Sequence, residues 1–110
     1  MPVINSLAER KDELTEWRRE LHQHPEICYE EVWTSDFIAA KLDSFGIEVH
    51  RGMGKTGVVG VIRGRGDSDR AIGLRADIDA LSMQEMNEFA HASKIPNRMH
   101  ACGHDGHTTM

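Results

Sequence analysis

The sequence predicts a layered α/β domain that is cut short at its end. Two segments with helical periodicity come first, and short segments rich in β-branched residues follow them. The terminal residues Gly106–Met110 have the pattern of a first helical turn. Charged residues make up 28% and hydrophobic residues 39% of the chain, which is typical of a globular protein rather than a disordered one.

A first helix is predicted to begin at Ser6 and to end before Pro25. Ser6 and Glu9 have the spacing of a capping box, in which each side chain bonds a free backbone N–H group at the helix start. Pro25 ends the helix, because the residue before a proline avoids the α-helical region. Apolar residues three, four or seven positions apart form one face of this helix: Ile4, Leu7, Leu14, Trp17 and Leu21.

A second helix is predicted from about Glu31 to Phe45. Gly46 then occupies the position just after the helix, where glycine is favoured. The apolar face of this helix consists of Trp33, Phe37, Ile38, Leu42 and Phe45.

Short strands are predicted at Ile47–His50, Val58–Ile62 and Ile72–Ile78. The polar segment Gly64–Arg70 lies between the last two and is predicted to be the turn of a hairpin. Gly54-Lys55-Thr56 resembles the end of a phosphate-binding loop, but the full pattern needs a glycine at position 49, which is Val49. We therefore interpret residues 54–56 as a turn.

Charge and hydropathy exclude several classes of partner. The formal net charge of −5 argues against nucleic acid or an anionic membrane as the main partner. The longest apolar stretch lies within Gly57–Ile62 and is too short to span a bilayer. Because the first residues also lack the pattern of a secretion signal, a cytoplasmic location is expected.

The two cysteines, Cys28 and Cys102, are predicted to remain reduced, because nothing in the sequence indicates secretion. We expect Cys28 to be a small core residue. Cys102 is then free to bind a metal ion.

The segment from His100 to His107 is the strongest candidate for a functional site. It holds four residues of the types that zinc and similar ions prefer, which are His100, Cys102, His104 and His107. If the segment is extended, positions 100, 102 and 104 point to one side. The competing interpretation is a surface loop with a packed cysteine.

Asp77 and Asp79 lie two residues apart in the segment Leu74–Leu81, at the end of the predicted strand Ile72–Ile78. Catalytic groups in α/β proteins collect at the carboxyl ends of strands. Solvated loop carboxylates explain the same spacing about equally well. The residues alone therefore leave both interpretations open.

Several segments, taken in order, resemble a known family. They are Arg18–Glu26, Tyr29–Glu31, Thr56–Gly60, Leu74–Leu81 and, most specifically, Met99–Thr108. Together they resemble the metal-dependent amidohydrolases of the aminoacylase and carboxypeptidase family, which includes hippurate hydrolase, indole-acetyl-amino-acid hydrolase and N-acetyl-diaminopimelate deacetylase. Ser82 and Cys28 depart from the family pattern, at positions where proline and glycine are common, and neither is a ligand position.

This resemblance implies a fold. Residues 1–110 would form the N-terminal part of the catalytic, metal-binding domain, an αβα zinc-peptidase-like domain with a mixed sheet. The chain would be truncated, and the lid or dimerisation domain would be absent from it.

The resemblance also implies hydrolysis of the amide bond of small N-acyl amino acids such as hippurate, with two divalent metal ions (Zn, Mn, Ni or Co). By position, Cys102 and His104 match metal ligands of the family, and Asp79 matches an acid that orients a ligand. The family's general-base glutamate comes later in its chains, so these 110 residues alone are expected to be inactive. The full-length form is expected to act without nucleic acid or membrane and as a homo-oligomer.

A second interpretation stays open: a small metal-binding module without catalytic activity. In that module His100, Cys102, His104 and His107 would hold a single ion. The crowding of these ligands counts against it, because structural zinc sites usually take ligand pairs from separate segments.

Overall fold

The computed structural model describes residues 4–110. In this part of the chain the helices and strands are α1 (Asn5–Glu9), α2 (Lys11–Gln23), α3 (Val32–Ser44), β1 (Glu48–Met53), β2 (Gly57–Val61) and α4 (His104–Thr109). The order of helices, hairpin and final helix agrees with the predicted α/β class. None of the helices within residues 4–110 is long and apolar enough to cross a membrane.

The predicted first helix is two helices, α1 and α2, separated at Arg10. The predicted capping box is wrong, because α1 begins at Asn5 with Ile4 as its N-cap residue, and no side chain caps it. Ser6 therefore lies inside the helix, where its hydroxyl does not precede the free N–H groups. Helix α2 ends at Gln23, before Pro25, as predicted.

Helix α3 agrees with its prediction and is capped by a residue that the local pattern does not indicate. Gly46 has a φ of +72° just after the helix, which glycine adopts without the steric cost of a side chain. At the other end, the buried side chain of Glu26 accepts hydrogen bonds from the backbone N–H groups of Trp33 (3.1 Å) and Thr34 (2.7 Å) and from the Thr34 hydroxyl (2.7 Å). Glu26 thus satisfies N–H groups that have no partner within the helix.

Aromatic contacts join the two long helices. Trp17 of α2 lies 5.9 Å from Phe45, which follows α3, measured between ring centroids. Trp33 stacks on Phe37 at 5.2 Å within α3, and on His24 after α2 at 4.1 Å. Leu21 is the most buried apolar residue of α2, and it lines a cavity together with Phe37 and Leu42 of α3.

The hairpin pairs β1 with β2 in antiparallel register, from Glu48 opposite Val61 to Met53 opposite Gly57. Residues 54–56 form its turn, and Lys55 takes a positive φ of 79° there. The interpretation of this segment as a turn is therefore confirmed. The predicted hairpin across residues 64–70 is wrong.

Residues 72–78 do not form the predicted strand with any described part of the chain. Ile72 and Leu74 are 90% and 96% exposed. A strand is stabilised by neighbours across the sheet, and alternation of apolar residues reports only that a segment suits such a position. The local pattern was present, but no described strand pairs with it.

A few backbone hydrogen bonds fix the long irregular stretch after Asp79. Ala80 N–H donates to the carbonyl of Glu26 at 2.7 Å, beside the start of α3. Leu81 and Met99 exchange two bonds, at 2.9 and 3.0 Å. These bonds bring residues 79–81 next to the segment that leads into α4.

Candidate metal centre

His104 is the first residue of α4, and its ring is held by Asp79. Its Nδ1 lies 2.9 Å from the Asp79 carbonyl oxygen and 3.0 Å from Asp79 Oδ1. A nitrogen between two oxygen acceptors carries the proton, which leaves Nε2 with the lone pair that binds a metal. Metal-ligating histidines commonly donate their other N–H group to a carboxylate or a carbonyl in this way.

Asp77 lies on the other side of the same ring. Its Oδ2 is 3.9 Å from His104 Nε2, and its Oδ1 pairs with Arg75. The Asp77 carbonyl accepts a hydrogen bond from the Thr108 hydroxyl at 3.1 Å, which docks α4 on this segment. The sequence left open whether Asp77 and Asp79 belong to a site or are solvated loop residues. In the structure both carboxylates face His104.

Cys102 is exposed and free, and a single residue separates it from His104. That residue, Gly103, has a φ of +85° and precedes the helix as its N-cap. Cys28 is also free, as predicted, but it is exposed, so the prediction that it is a core residue is wrong. It lies in the connection between α2 and α3, next to Tyr29, which has a positive φ of 66°.

The other two histidines of the segment lie in different surroundings. His100 is only 4% exposed, and neither of its ring nitrogens has a hydrogen-bond partner among the described residues. Burial lowers the pKa of His100, which favours the neutral ring. His107 is exposed on α4. The segment bends at Gly103 into a helix, so it is not extended, and the condition under which positions 100, 102 and 104 would point to one side is not met.

Within residues 4–110, no group of three or more His, Cys, Asp or Glu side chains is arranged to hold a metal ion. The four-ligand module on one ion therefore has no geometric support in the described chain. Cys102 and His104 fit a metal as two donors, a thiol and an imidazole nitrogen whose ring is already oriented by Asp79. A complete centre needs further donors.

A buried network lies next to Cys102 and His104, and the sequence analysis did not predict it. His22 Nδ1 lies 2.7 Å from Asp105 Oδ2, and His22 Nε2 lies 3.0 Å from Glu85 Oε1. Arg18 Nε also donates to Asp105 Oδ2, at 3.1 Å. His22, Glu85 and Asp105 are all buried. A histidine directly after Leu21, on the face of α2 that packs inward, was the available signal.

Glu85 is the acid at the outer end of this network. Burial by itself would raise its pKa, but hydrogen bonds from Asn87, His22 and the backbone of Ser93 outweigh burial and lower the pKa to about 2. Glu85 is therefore ionised at neutral pH. An ionised carboxylate only accepts hydrogen bonds, so His22 Nε2 donates to Glu85.

Comparison with known proteins shows which family and which relatives the chain is similar to. Residues 73–110 match the family model of Peptidase family M20/M25/M40. The chain is 48% identical to hippurate hydrolase of Campylobacter jejuni, across 99% of the chain and 28% of that protein. The chain therefore carries the pattern of this family in residues 73–110 and is similar to the relative over nearly its whole length. It is also 48% identical to an N-acyl-L-amino acid amidohydrolase of Geobacillus stearothermophilus, across 93% of the chain and 27% of that protein.

Solved structures confirm the fold. The YXEP protein of Bacillus subtilis, described as a dinuclear metal binding peptidase from the M20 family, superposes with a TM-score of 0.84 at 45% identity, covering 89% of this chain and 27% of that one. A putative aminohydrolase from Staphylococcus aureus gives 0.82 at 36% identity, covering 96% of this chain and 28% of that one. The chain spans about a quarter of the length of the relatives that it matches.

Proposed function

We propose that the complete protein is a metal-dependent amidohydrolase that cleaves the amide bond of N-acyl amino acids. We further propose that Cys102 and His104 are two ligands of its two-metal centre. The pairing of His104 Nδ1 with Asp79 carries this proposal, because it orients the ring as ligating histidines are oriented. The names of two relatives, hippurate hydrolase and N-acyl-L-amino acid amidohydrolase, support the substrate class.

Each of the three residues has a distinct role in this proposal. Asp79 holds the proton on His104 Nδ1, so that Nε2 keeps the lone pair that binds the metal. Cys102 binds as the thiolate, which is the form that ligates metals. Two divalent ions, when bound, would provide an activated water and polarise the substrate carbonyl. Zinc, manganese, nickel and cobalt stay the candidate ions, because one thiolate and one imidazole do not select sharply among them.

The remaining parts of the site are proposed to come from sequence other than these 110 residues. Three observations support this: the described residues hold no group of three or more possible ligands, the chain spans about a quarter of its relatives, and no described glutamate lies against His104. The missing parts include a general-base glutamate. A small N-acyl amino acid is the proposed partner, and a cytoplasmic, homo-oligomeric form without nucleic acid or membrane partners stays a prediction.

The first test compares hydrolysis of hippurate and N-acetyl amino acids by the complete protein and by the 110-residue chain, each supplied with manganese or zinc. Activity is expected only from the complete protein. Turnover by the 110-residue chain would contradict the proposed division of the site. Absence of turnover by the metal-loaded complete protein on every N-acyl amino acid would contradict the proposed substrate class.

Asp79→Asn in the complete protein tests the orienting role. We expect metal affinity or activity to fall about 10- to 100-fold, the range for groups that orient a ligand. Asp69→Asn is the matched control, since Asp69 lies in the exposed segment after β2. Equal behaviour of the two variants would show that Asp79 does not act on the metal centre.

Titration of the 110-residue chain with zinc at neutral pH distinguishes the amidohydrolase from the single-ion module. Two donors predict weak binding that survives His100→Ala. Tight, stoichiometric uptake that depends on His100 would favour the module instead.

A further inference from the structure

The buried network around Asp105 joins helix α2 to the first turn of α4. Asp105 directly follows His104 and is 1% exposed. Its Oδ2 is bonded by His22 Nδ1 and Arg18 Nε, which lie 83 and 87 residues away in sequence and one helical turn apart on α2. The start of α4 is therefore bonded to α2 through one carboxylate oxygen.

Helix α4 needs such an anchor at its start. Its N-cap residue is Gly103, which has no side chain to cap the helix. Asp105 instead bonds within the first turn as well, since its Oδ1 accepts the Gly106 N–H at 2.9 Å. The Asp105 carboxylate, directly after the candidate ligand His104, thus bonds both within the first turn of α4 and to α2.

The network extends behind His22 and fixes that ring too. Glu85 Oε1 holds His22 Nε2 at 3.0 Å, and Asn87 donates to the same oxygen at 3.0 Å. The ring therefore has an acceptor at each nitrogen and cannot turn without losing both bonds. Residues 85–93, helix α2 and helix α4 meet at this one side chain.

The energetics of such a network favour a geometric role over a stabilising one. Desolvation of buried charges offsets much of their attraction, so well-packed apolar residues often stabilise a protein as much or more. What charged hydrogen bonds do provide is a fixed distance and direction, since their strength falls steeply as the angle worsens. Metal ligation depends on such positional accuracy.

We propose that His22 and Arg18 are positioning residues for the metal centre. Through Asp105 they fix the first turn of α4, and this holds His104, with Cys102 before it, where both reach the metal. Asp79 orients the His104 ring from one side, while α2 holds its backbone from the other. This inference rests on the proposed function, because it requires Cys102 and His104 to be ligands.

The test uses the complete protein loaded with cobalt(II), whose thiolate-to-metal absorption band reports Cys102 directly. The variants are His22→Gln, which bonds only one of its two acids at a time, and Arg18→Met, which removes the second donor to Asp105. Thr56→Val is the matched control, since it removes the hydroxyl that bonds buried Glu31 at 2.7 Å, on the side of α3 that faces the hairpin. Cobalt affinity, the absorption spectrum and urea unfolding are measured for each.

We expect His22→Gln to lower cobalt affinity about 10-fold, at the low end of the range for groups that act behind a ligand, and to change the absorption band. Arg18→Met should change both in the same direction and by less. Thr56→Val should shift urea unfolding alone. If His22→Gln does not fold, Arg18→Met decides the matter, because Arg18 is about half exposed and its loss is tolerated more easily.

The outcomes separate the two proposals. A wild-type protein without a thiolate band contradicts the proposed function itself. A wild-type protein with the band, together with His22→Gln and Arg18→Met variants that match Thr56→Val in affinity and spectrum, overturns the positioning role and leaves the proposed function intact.

Discussion

The part of the chain up to residue 61 and the part after it are held together in different ways. The first part consists of helices and a hairpin whose backbone groups bond to near neighbours in sequence. The second part has one short helix, and single backbone bonds and buried charges tie it to distant residues. The candidate metal ligands all lie in the second part, so the site depends on the less regular half of the molecule.

One buried carboxylate in each part shows the difference. Glu26 accepts hydrogen bonds from residues seven and eight positions along the chain and caps α3. Asp105 accepts them from side chains 83 and 87 positions away and joins two helices. A local cap stabilises one helix, whereas a long-range acceptor fixes how two elements are placed. Substitutions of Glu26 and Asp105 should therefore differ in how much they lower stability and in which contacts they break.

The largest effect is expected for Asp105→Ala. The change leaves the buried His22 ring, the Arg18 guanidinium and the Gly106 N–H group without their partner. Loss of a buried carboxylate that bonds several groups, one of them a cation, is expected to cost about 3–5 kcal/mol. The loss is measured as the change in the free energy of urea unfolding of the complete protein, followed by tryptophan fluorescence. Asp69→Ala is the exposed control and should stay within about 0.5 kcal/mol of wild type. A loss below about 1 kcal/mol for Asp105→Ala would contradict the long-range role.

A smaller loss is expected for Glu26→Ala. Two backbone N–H groups and one hydroxyl lose their acceptor, which costs about 1–3 kcal/mol when such groups stay buried. Glu26→Gln should lose less, because its amide oxygen still accepts. The same unfolding measurement applies, and an alanine variant as stable as wild type would show that α3 begins without this cap.

The third effect appears only at low pH, as a change in how steeply stability depends on pH, and it is expected at Glu85. Its folded-state pKa of about 2 lies below the ordinary value of 4.5, so its contribution to stability is present above about pH 4.5 and is lost as the pH falls toward 2. Glu85→Gln should therefore lose less stability than wild type across that interval. Unfolding free energies measured from pH 5 to pH 2 provide the check, and parallel curves for the two proteins would contradict the assignment.

The same contrast explains what could be predicted from the sequence. Helix α3, its Gly46 end and the turn at residues 54–56 follow from local preferences, and the structure confirms all three. The strand at residues 72–78 was wrong, because its pattern indicates a place in a sheet but not a partner. The Ser6 cap was wrong because the chain enters α1 two residues earlier than that cap requires.

The site shows the same limit. His104 and Cys102 stood out by residue type and spacing, and the resemblance selected Asp79, which the structure places against His104. Nothing in the local sequence connects His22 with Asp105 or Glu85, since these pairs form only when distant segments fold together. Cys28 was assigned to the core by residue type alone, which says nothing about the exposed turn in which it lies.

The most direct test of the central claim is X-ray absorption at the zinc edge of the zinc-loaded complete protein. A zinc–thiolate bond gives a sulfur scatterer at about 2.3 Å. We predict this signal in the wild type and in Cys28→Ser, and its loss in Cys102→Ser. A wild-type spectrum without sulfur, or a Cys102→Ser spectrum that keeps it, would contradict the assignment of Cys102 as a metal ligand.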